Sequence, residues 1–211
     1  MQIGSPQMYS KLPSLVIGFH GCDKTTFKNT LYKHNHLEQS RNLYDWLGHG
    51  IYFWENNLER ANHWAVEKVK RGDYKTPSVI GAVIDLGHCL NLTDSAYVPL
   101  LEMGYELVKI RANSNGGIIP VNKGGKDLLL RNLDCAVIEQ IHDSSSFLGQ
   151  WNEQTEIEEF DSVRGVFIEG NEVYEGAGFM KKTHVQICIR NLNCIKGYFN
   201  PLEPNPYYKM P

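Results

Sequence analysis

Three short stretches carry side chains whose types and spacing could do chemistry. The first is His20-Gly21, which follows the apolar run Leu15-Val16-Ile17-Gly18-Phe19. The second is Gly48-His49-Gly50-Ile51-Tyr52-Phe53, with Arg60-Ala61-Asn62-His63 shortly after it. The third is His184-Val185-Gln186-Ile187-Cys188-Ile189-Arg190. Glycines on both sides of His49 permit a tight turn with dihedrals that other residues avoid, and that turn can deliver Tyr52 from a short strand into a cleft. Strand alternation places His184, Gln186, Cys188 and Arg190 on one face and turns Val185, Ile187 and Ile189 toward the core. An imidazole, a phenol and a carboxamide so placed can hydrogen-bond a polar ligand, and the rings can stack on a planar one.

Each of these residues also has a plainer reading. His20 alone is a hydrogen-bonded structural histidine, Tyr52 and Trp54 are core aromatics of a short strand, His63 is a helix surface residue and Gln186 a sheet residue. Their occurrence together favours a site for all but Trp54, which is read as structural. Two other stretches carry less. His34-Asn35-His36 is followed by no second ligand cluster, so no metal is expected. Gly124-Gly125-Lys126-Asp127 lacks the earlier glycine and the final Ser or Thr of a phosphate-binding loop.

The elements that must position these residues follow from pattern. Leu15–Phe19 reads as a buried strand ending at His20-Gly21, a loop or short helix covers roughly residues 22–45, and Gly50–Phe53 is a second short strand. Asn56-Asn57-Leu58-Glu59 resembles a capping box, and the helix after it places Leu58, Ala61, Ala65 and Val69 on one face and stops near Gly72. Val79–Leu86 reads as a strand, Ser95 to about Ile110 as a helix, Lys126–Leu133 as a short helix and Cys135–Ile138 as a strand. Residues 143–159, including most of the acidic run Glu153–Asp161, read as a solvated loop. Val163–Ile168, His184–Arg190 and Ile195–Phe199 complete the strands. Strands outnumber helices and do not alternate with them, which predicts an α+β fold.

Bulk properties narrow the class. The 211 residues suit one domain over 1–211. A hydrophobic fraction of 42% with 21% charged residues is ordinary globular usage. The net charge of −3 argues against a broad cationic face for nonspecific nucleic-acid binding. The five cysteines are scattered without Cys-x-x-Cys spacing, which fits reduced thiols in a cytoplasm. Neither a classical signal peptide nor a membrane span is expected.

The stretch from Tyr44 to Glu55, with Arg60-Ala61-Asn62-His63 after it, closely resembles the Gly-x-Gly-Ile-Tyr-Phe-Ala turn and Ala-Asn-Tyr helix of poly(ADP-ribose) polymerase catalytic domains. Phe19-His20-Gly21 resembles the His-Gly pair that opens the same fold, and the Gln186 strand is similar to the late strand that begins with the family's catalytic Glu. The resemblance implies an ADP-ribosyltransferase-like split antiparallel β-sheet core with flanking helices. It implies NAD as the ADP-ribose donor, with no metal. Gly21 would hold the nicotinamide carboxamide through its backbone and His20 the adenosine ribose, while Tyr52 and His63 would sandwich the nicotinamide ring. Gln186 would stand at the nicotinamide ribose in place of Glu. Arg60 falls where the family has a serine touching the carboxamide, and residues 87–160 match nothing in the family.

Cleaving the glycosidic bond of NAD creates an oxocarbenium-like ribose, so catalysis consists of holding the ring, bending the ribose and stabilising positive charge. Gln in place of Glu forgoes a charge-assisted bond, at a cost of roughly 1–2 kcal/mol, and disfavours chain elongation. Glu175, in the glycine-rich loop Glu169–Phe179 where related transferases recognise the acceptor, could supply the missing carboxylate. The expected activity is mono-ADP-ribosyl transfer to a protein or nucleic-acid acceptor, by analogy as a toxin or defence effector with an inhibitor or antitoxin partner. The alternatives are an NAD glycohydrolase and a noncatalytic NAD or ADP-ribose binding module.

Overall fold

The computed structural model describes residues 15–151 and 159–209. The chain begins with β1 (Val16–Asp23), α1 (Lys24–Lys33), β2 (Ile51–Glu55), α2 (Leu58–Lys70) and β3 (Pro77–Ile84). The middle holds β4 (Cys89–Asn91), α3 (Val98–Ser114), the small β5 (Asn122–Lys123) and β6 (Leu130–Arg131), and α4 (Asn132–Trp151). Strands β7 (Ser162–Phe167), β8 (His184–Ile189) and β9 (Ile195–Phe199) follow.

Local chemistry sets several boundaries. Asp23 ends β1 and caps α1, accepting the Thr25 N–H at 2.9 Å, while its other oxygen accepts from Lys75 and Thr76 at 2.8 and 3.0 Å. These bonds from Thr25, Thr76 and Lys75 hold the Asp23 carboxyl below the usual carboxylate range. Asn57, one residue later than the sequence pattern suggested, caps α2 by accepting the Arg60 N–H at 2.9 Å. Asn56 instead takes a left-handed φ of 51° and donates to the Ile17 carbonyl.

Seven strands form one sheet in the order β4-β7-β8-β2-β1-β3-β9, and β5 pairs with β6 in a separate ribbon. The α+β expectation holds. The sheet is mixed rather than wholly antiparallel, because β4 pairs parallel with β7. A parallel neighbour needs a long crossover, and α3 and α4 lie in the connection between those two strands.

Both faces of the sheet are covered. One buried cluster gathers Cys22, Phe27, Phe53, Ile80, Ile84, Ile187 and Ile189. The other gathers Leu47, Leu90, Val163 and Cys188 with Val108 of α3 and Val137, Ile138 and Ile141 of α4. Cys188 therefore lies in the core, although simple alternation had put it on the presenting face with Gln186. Ile187 and Ile189 enter one cluster and Cys188 the other, so this central strand buries both of its faces.

The middle of the chain departs most from the sequence reading. Lys126–Leu133 forms a turn and the short β6 before entering a helix, and Cys135–Ile138 belongs to α4 rather than to a strand. Cys135, Ile138, Ile141 and His142 are buried at helical spacing, a period that extends past the four apolar residues that read as a strand. The helix runs on through Trp151, into what was expected to be loop. Positions 152–158 of that expected loop lie outside the described residues. Among the described residues, no helix is long and apolar enough to cross a membrane.

Candidate functional site

Strands β1 and β2 run side by side only briefly. Among the described residues their ladder is Gly18 opposite Glu55 and Phe19 opposite Trp54. Beyond it, β1 stays with β3 as far as Asp23 opposite Pro77, while β2 stays with β8 back to Ile51 opposite Ile189. The sheet thus forks at its centre, with Phe19 and Trp54 at the root.

His20 occupies the fork. Its Nδ1 lies 2.8 Å from the Tyr52 carbonyl oxygen and its ring meets Phe53 edge-on at 5.8 Å. Burial pushes the imidazole below its ordinary pKa, against the opposing effect of that carbonyl bond. A neutral ring that donates from Nδ1 keeps a lone pair on Nε2, ready to accept from a ligand hydroxyl.

Gly21 follows at the open side. The Ile17 carbonyl accepts from Asn56 at 2.8 Å and so points toward β2. Alternation turns the peptide groups of Phe19 and Gly21 the same way, and past Phe19 no β2 residue pairs with them. Gly21 thus offers a donor and an acceptor side by side. The absence of a side chain has a second reason, since a Cβ there would run into the Ala61 carbonyl of α2. Helix packing requires the glycine whether or not a ligand does.

Tyr52 arrives from the glycine turn. Gly48 has a φ of +77°, and a Cβ on Gly50 would collide with the Ile189 carbonyl, so both glycines are required. The phenol donates to the Gly48 carbonyl at 2.8 Å and accepts the Leu47 N–H at 2.9 Å. Burial first, then the neighbouring Cys188 and Asp45, raise its pKa well above that of a free phenol. Its hydroxyl is therefore a structural clasp, and its partly buried ring packs against the cluster of Leu47 and Cys188.

Gln186 pairs with Trp54 across β2 and with Gly165 across β7, which sets it beside the root of the fork on the same face as Tyr52. Its Oε1 accepts the Trp46 indole N–H at 2.6 Å. The structure therefore gathers His20, Gly21, Tyr52 and Gln186 at the fork, with the Tyr52 and Gln186 side chains on one face of the sheet and the His20 ring on the other, beside Phe53. It does not bring His63 there. That side chain is 60% exposed on the outer side of α2, 3.7 Å from Glu59, and Trp64 is the residue that turns inward, to Trp54. Glu175 is also exposed, at the tip of the loop bridged by Glu172 and Met180.

Sequence reasoning passed over three residues. Arg60 is buried at the start of α2, with Nη2 2.7 Å from Glu169 and its guanidinium 5.8 Å from the Trp54 ring. Its Nε and Nη1, the Trp54 Nε1 and the His184 Nε2 are buried without partners among the described residues. Only the oddity of an arginine in the family's serine position hinted at this. Trp46 lay within the recognised stretch, but nothing in the pattern assigned it to Gln186. Glu139 had no signal at all.

Glu139 organises a second polar cluster at the far end of β8. It lies 3.2 Å from His49 Nδ1 and 2.6 Å from Arg190 Nη1, and accepts the His49 backbone N–H at 2.8 Å. Burial would raise its carboxyl, but these bonds outweigh that and hold it low. The cluster borders a cavity of roughly 440 Å³ lined also by His142, Phe160 and Asp161. His142 is buried there, and desolvation aided by Arg190 takes its pKa down from 6.5 to about 4. No group of three potential metal ligands occurs among the described residues.

No protein-family model matches the chain, and neither a curated protein nor a solved structure shows significant similarity to it.

Proposed function

We propose that the chain is an NAD-dependent mono-ADP-ribosyltransferase with an ADP-ribosyltransferase-like arrangement of its sheet. The observation that carries this reading is the His20 bond to the Tyr52 carbonyl at the point where β1 and β2 part. It joins two segments separated by 32 positions at the fork of the sheet, and both resemble the polymerases. The peptide groups of Gly21, which among the described residues pair with no residue of β2, suit a primary carboxamide, which needs one donor and one acceptor. The Nε2 lone pair of His20 suits a ribose hydroxyl, and the Tyr52 ring offers a stacking face.

In the reaction, the bond between nicotinamide and the anomeric carbon of its ribose breaks, and the electron pair leaves with nicotinamide, which becomes neutral. A nucleophile on the acceptor attacks that carbon and loses its proton to solvent. Acid–base groups contribute little, since His20 is held neutral and the Tyr52 phenol is tied to the turn. Holding and bending the donor is the main work. The acceptor is a protein or nucleic acid met by the loop from Glu169 to Phe179, and a cytoplasmic toxin or defence role with an inhibitor partner follows by analogy.

One observation favours a noncatalytic NAD-binding module instead. Gln186 carries no charge, its oxygen is already bonded to Trp46, and Glu175 stands away in solvent. The deciding experiment incubates the protein with NAD labelled in its adenosine half and a whole lysate, with and without nuclease and protease. Nicotinamide release with label on a macromolecule is the expected result. Free labelled ADP-ribose alone would make it a glycohydrolase, and binding without release would make it a binding module. His20→Ala and Tyr52→Ala should abolish turnover.

A further inference from the structure

Trp46 is built into place. Its ring packs edge-on against Phe167 at 5.1 Å and lies over Gly165, where a Cβ would stand 2.8 Å from the indole Cη2. The Arg131 guanidinium sits 4.5 Å from the Phe167 ring and 5.8 Å from that of Trp46. A glycine in the middle of a strand, an aromatic wall and a cation together hold the indole so that its N–H meets Gln186 at 2.6 Å.

We infer that Trp46 is a positioning residue that fixes which end of the Gln186 carboxamide faces a ligand, making this position a hydrogen-bond donor. An indole nitrogen can only donate, so the contact admits one orientation of the amide, with Oε1 toward Trp46 and Nε2 away from it. Among the described hydrogen bonds Nε2 donates to nothing, and it is the atom left for a ligand oxygen. The catalytic consequence rests on the transferase reading. A carboxylate accepts from the ribose hydroxyl and enriches the ring in electrons as the glycosidic bond breaks. An amide N–H bonds the same oxygen as a donor and withdraws density from it, so the site grips the donor but weakly supports the cation. The same indole would also serve a carboxylate, holding one oxygen through a charge-assisted bond and leaving the other to accept from the hydroxyl.

The test combines Trp46→Phe, which keeps a ring against Phe167, with Gln186→Glu, singly and together. Gln186→Leu serves as a probe of the free protein. In that free protein, the Trp46 indole N–H resonance should shift and exchange faster in Gln186→Leu. In Gln186→Glu it should titrate with a carboxylate at acid pH. With NAD, Gln186→Glu should raise kcat about tenfold at little change in KM, and Trp46→Phe should cancel most of that gain. Trp46→Phe alone, by freeing the amide to turn, should raise kcat by a small factor. Independent, multiplicative effects of the two substitutions on kcat would overturn the positioning role. An indole signal indifferent to residue 186 would overturn the orientation itself. If the indole responds as expected but none of the proteins releases nicotinamide, the transferase reading fails together with the catalytic consequence, and the donor orientation of Gln186 stands.

Discussion

The imidazole of His20 takes the place of a β-strand, bonding the Tyr52 carbonyl at 2.8 Å where the ladder between β1 and β2 has ended. A carbonyl in mid-sheet must find a donor, and here a side chain supplies it so that the backbone can open. His20→Ala leaves that oxygen short of a partner and should cost about 1–3 kcal/mol of stability. His20→Asn, with a shorter donor, should recover less than half of the loss. Urea unfolding of the three proteins checks both statements.

Tyr52 separates ring from hydroxyl. Removing only the hydroxyl in Tyr52→Phe deletes its bonds to Gly48 and Leu47, so the melting temperature should drop by several degrees. Turnover at a temperature where both proteins are folded should stay within a few-fold of the parent, because the stacking face remains. A complete loss of nicotinamide release in a folded Tyr52→Phe would show the phenol to be chemically active after all.

Gly21→Ala distinguishes packing from ligand approach. The added methyl meets the Ala61 carbonyl in α2, and the helix must shift outward, at a cost of about 1–3 kcal/mol even without ligand. The measurement is the urea midpoint of the apo protein, and no change there would mean that α2 sits farther from β1.

The buried pair of Arg60 and Glu169 anchors the loop ahead of β8 to the start of α2. Glu169→Leu leaves the Arg60 guanidinium unpaired away from water and should destabilise by about 3–5 kcal/mol, whereas in Arg60→Met the carboxylate keeps Lys182 at 3.6 Å and the loss should be smaller. The double substitution should be less harmful than the sum of the two. Limited proteolysis should first cut between residues 170 and 182 in either single variant.

Acid should unfold the protein through its buried histidines. His142 titrates at about 4 when folded against 6.5 when free, so the unfolded chain takes up the proton first as pH falls. Stability is then full above pH 6.5 and declines by about 3 kcal/mol toward pH 4, with His20 and His184 shifted in the same direction. His142→Leu should flatten the slope of melting temperature against pH over that window. An unchanged slope would assign the acid sensitivity to other groups.

Runs of pattern were legible where local and tertiary demands agree. The glycine turn, the α2 helix behind it, and the strands that became β2, β3, β7, β8 and β9 were readable because alternation, caps and glycine conformations are written in neighbouring residues. Residues 126–151 were not, since a short apolar run such as Cys135–Ile138 fits a buried strand or a buried helix equally well. What lay beneath it, a sheet face that needed a helical cover, decided the matter.

For the site, the sequence by itself determined which segments carry the His, Tyr and Gln and in what order they come, because residue type and spacing are properties of the chain. Only the tertiary structure decided that β1 and β2 part at His20, that His63 faces solvent while Arg60 is buried, and that Trp46 captures the oxygen of Gln186. Each of these is a contact between residues far apart in sequence. Its geometry is fixed by which strand lies beside which and by what each helix must cover, quantities that exist only once the chain has folded.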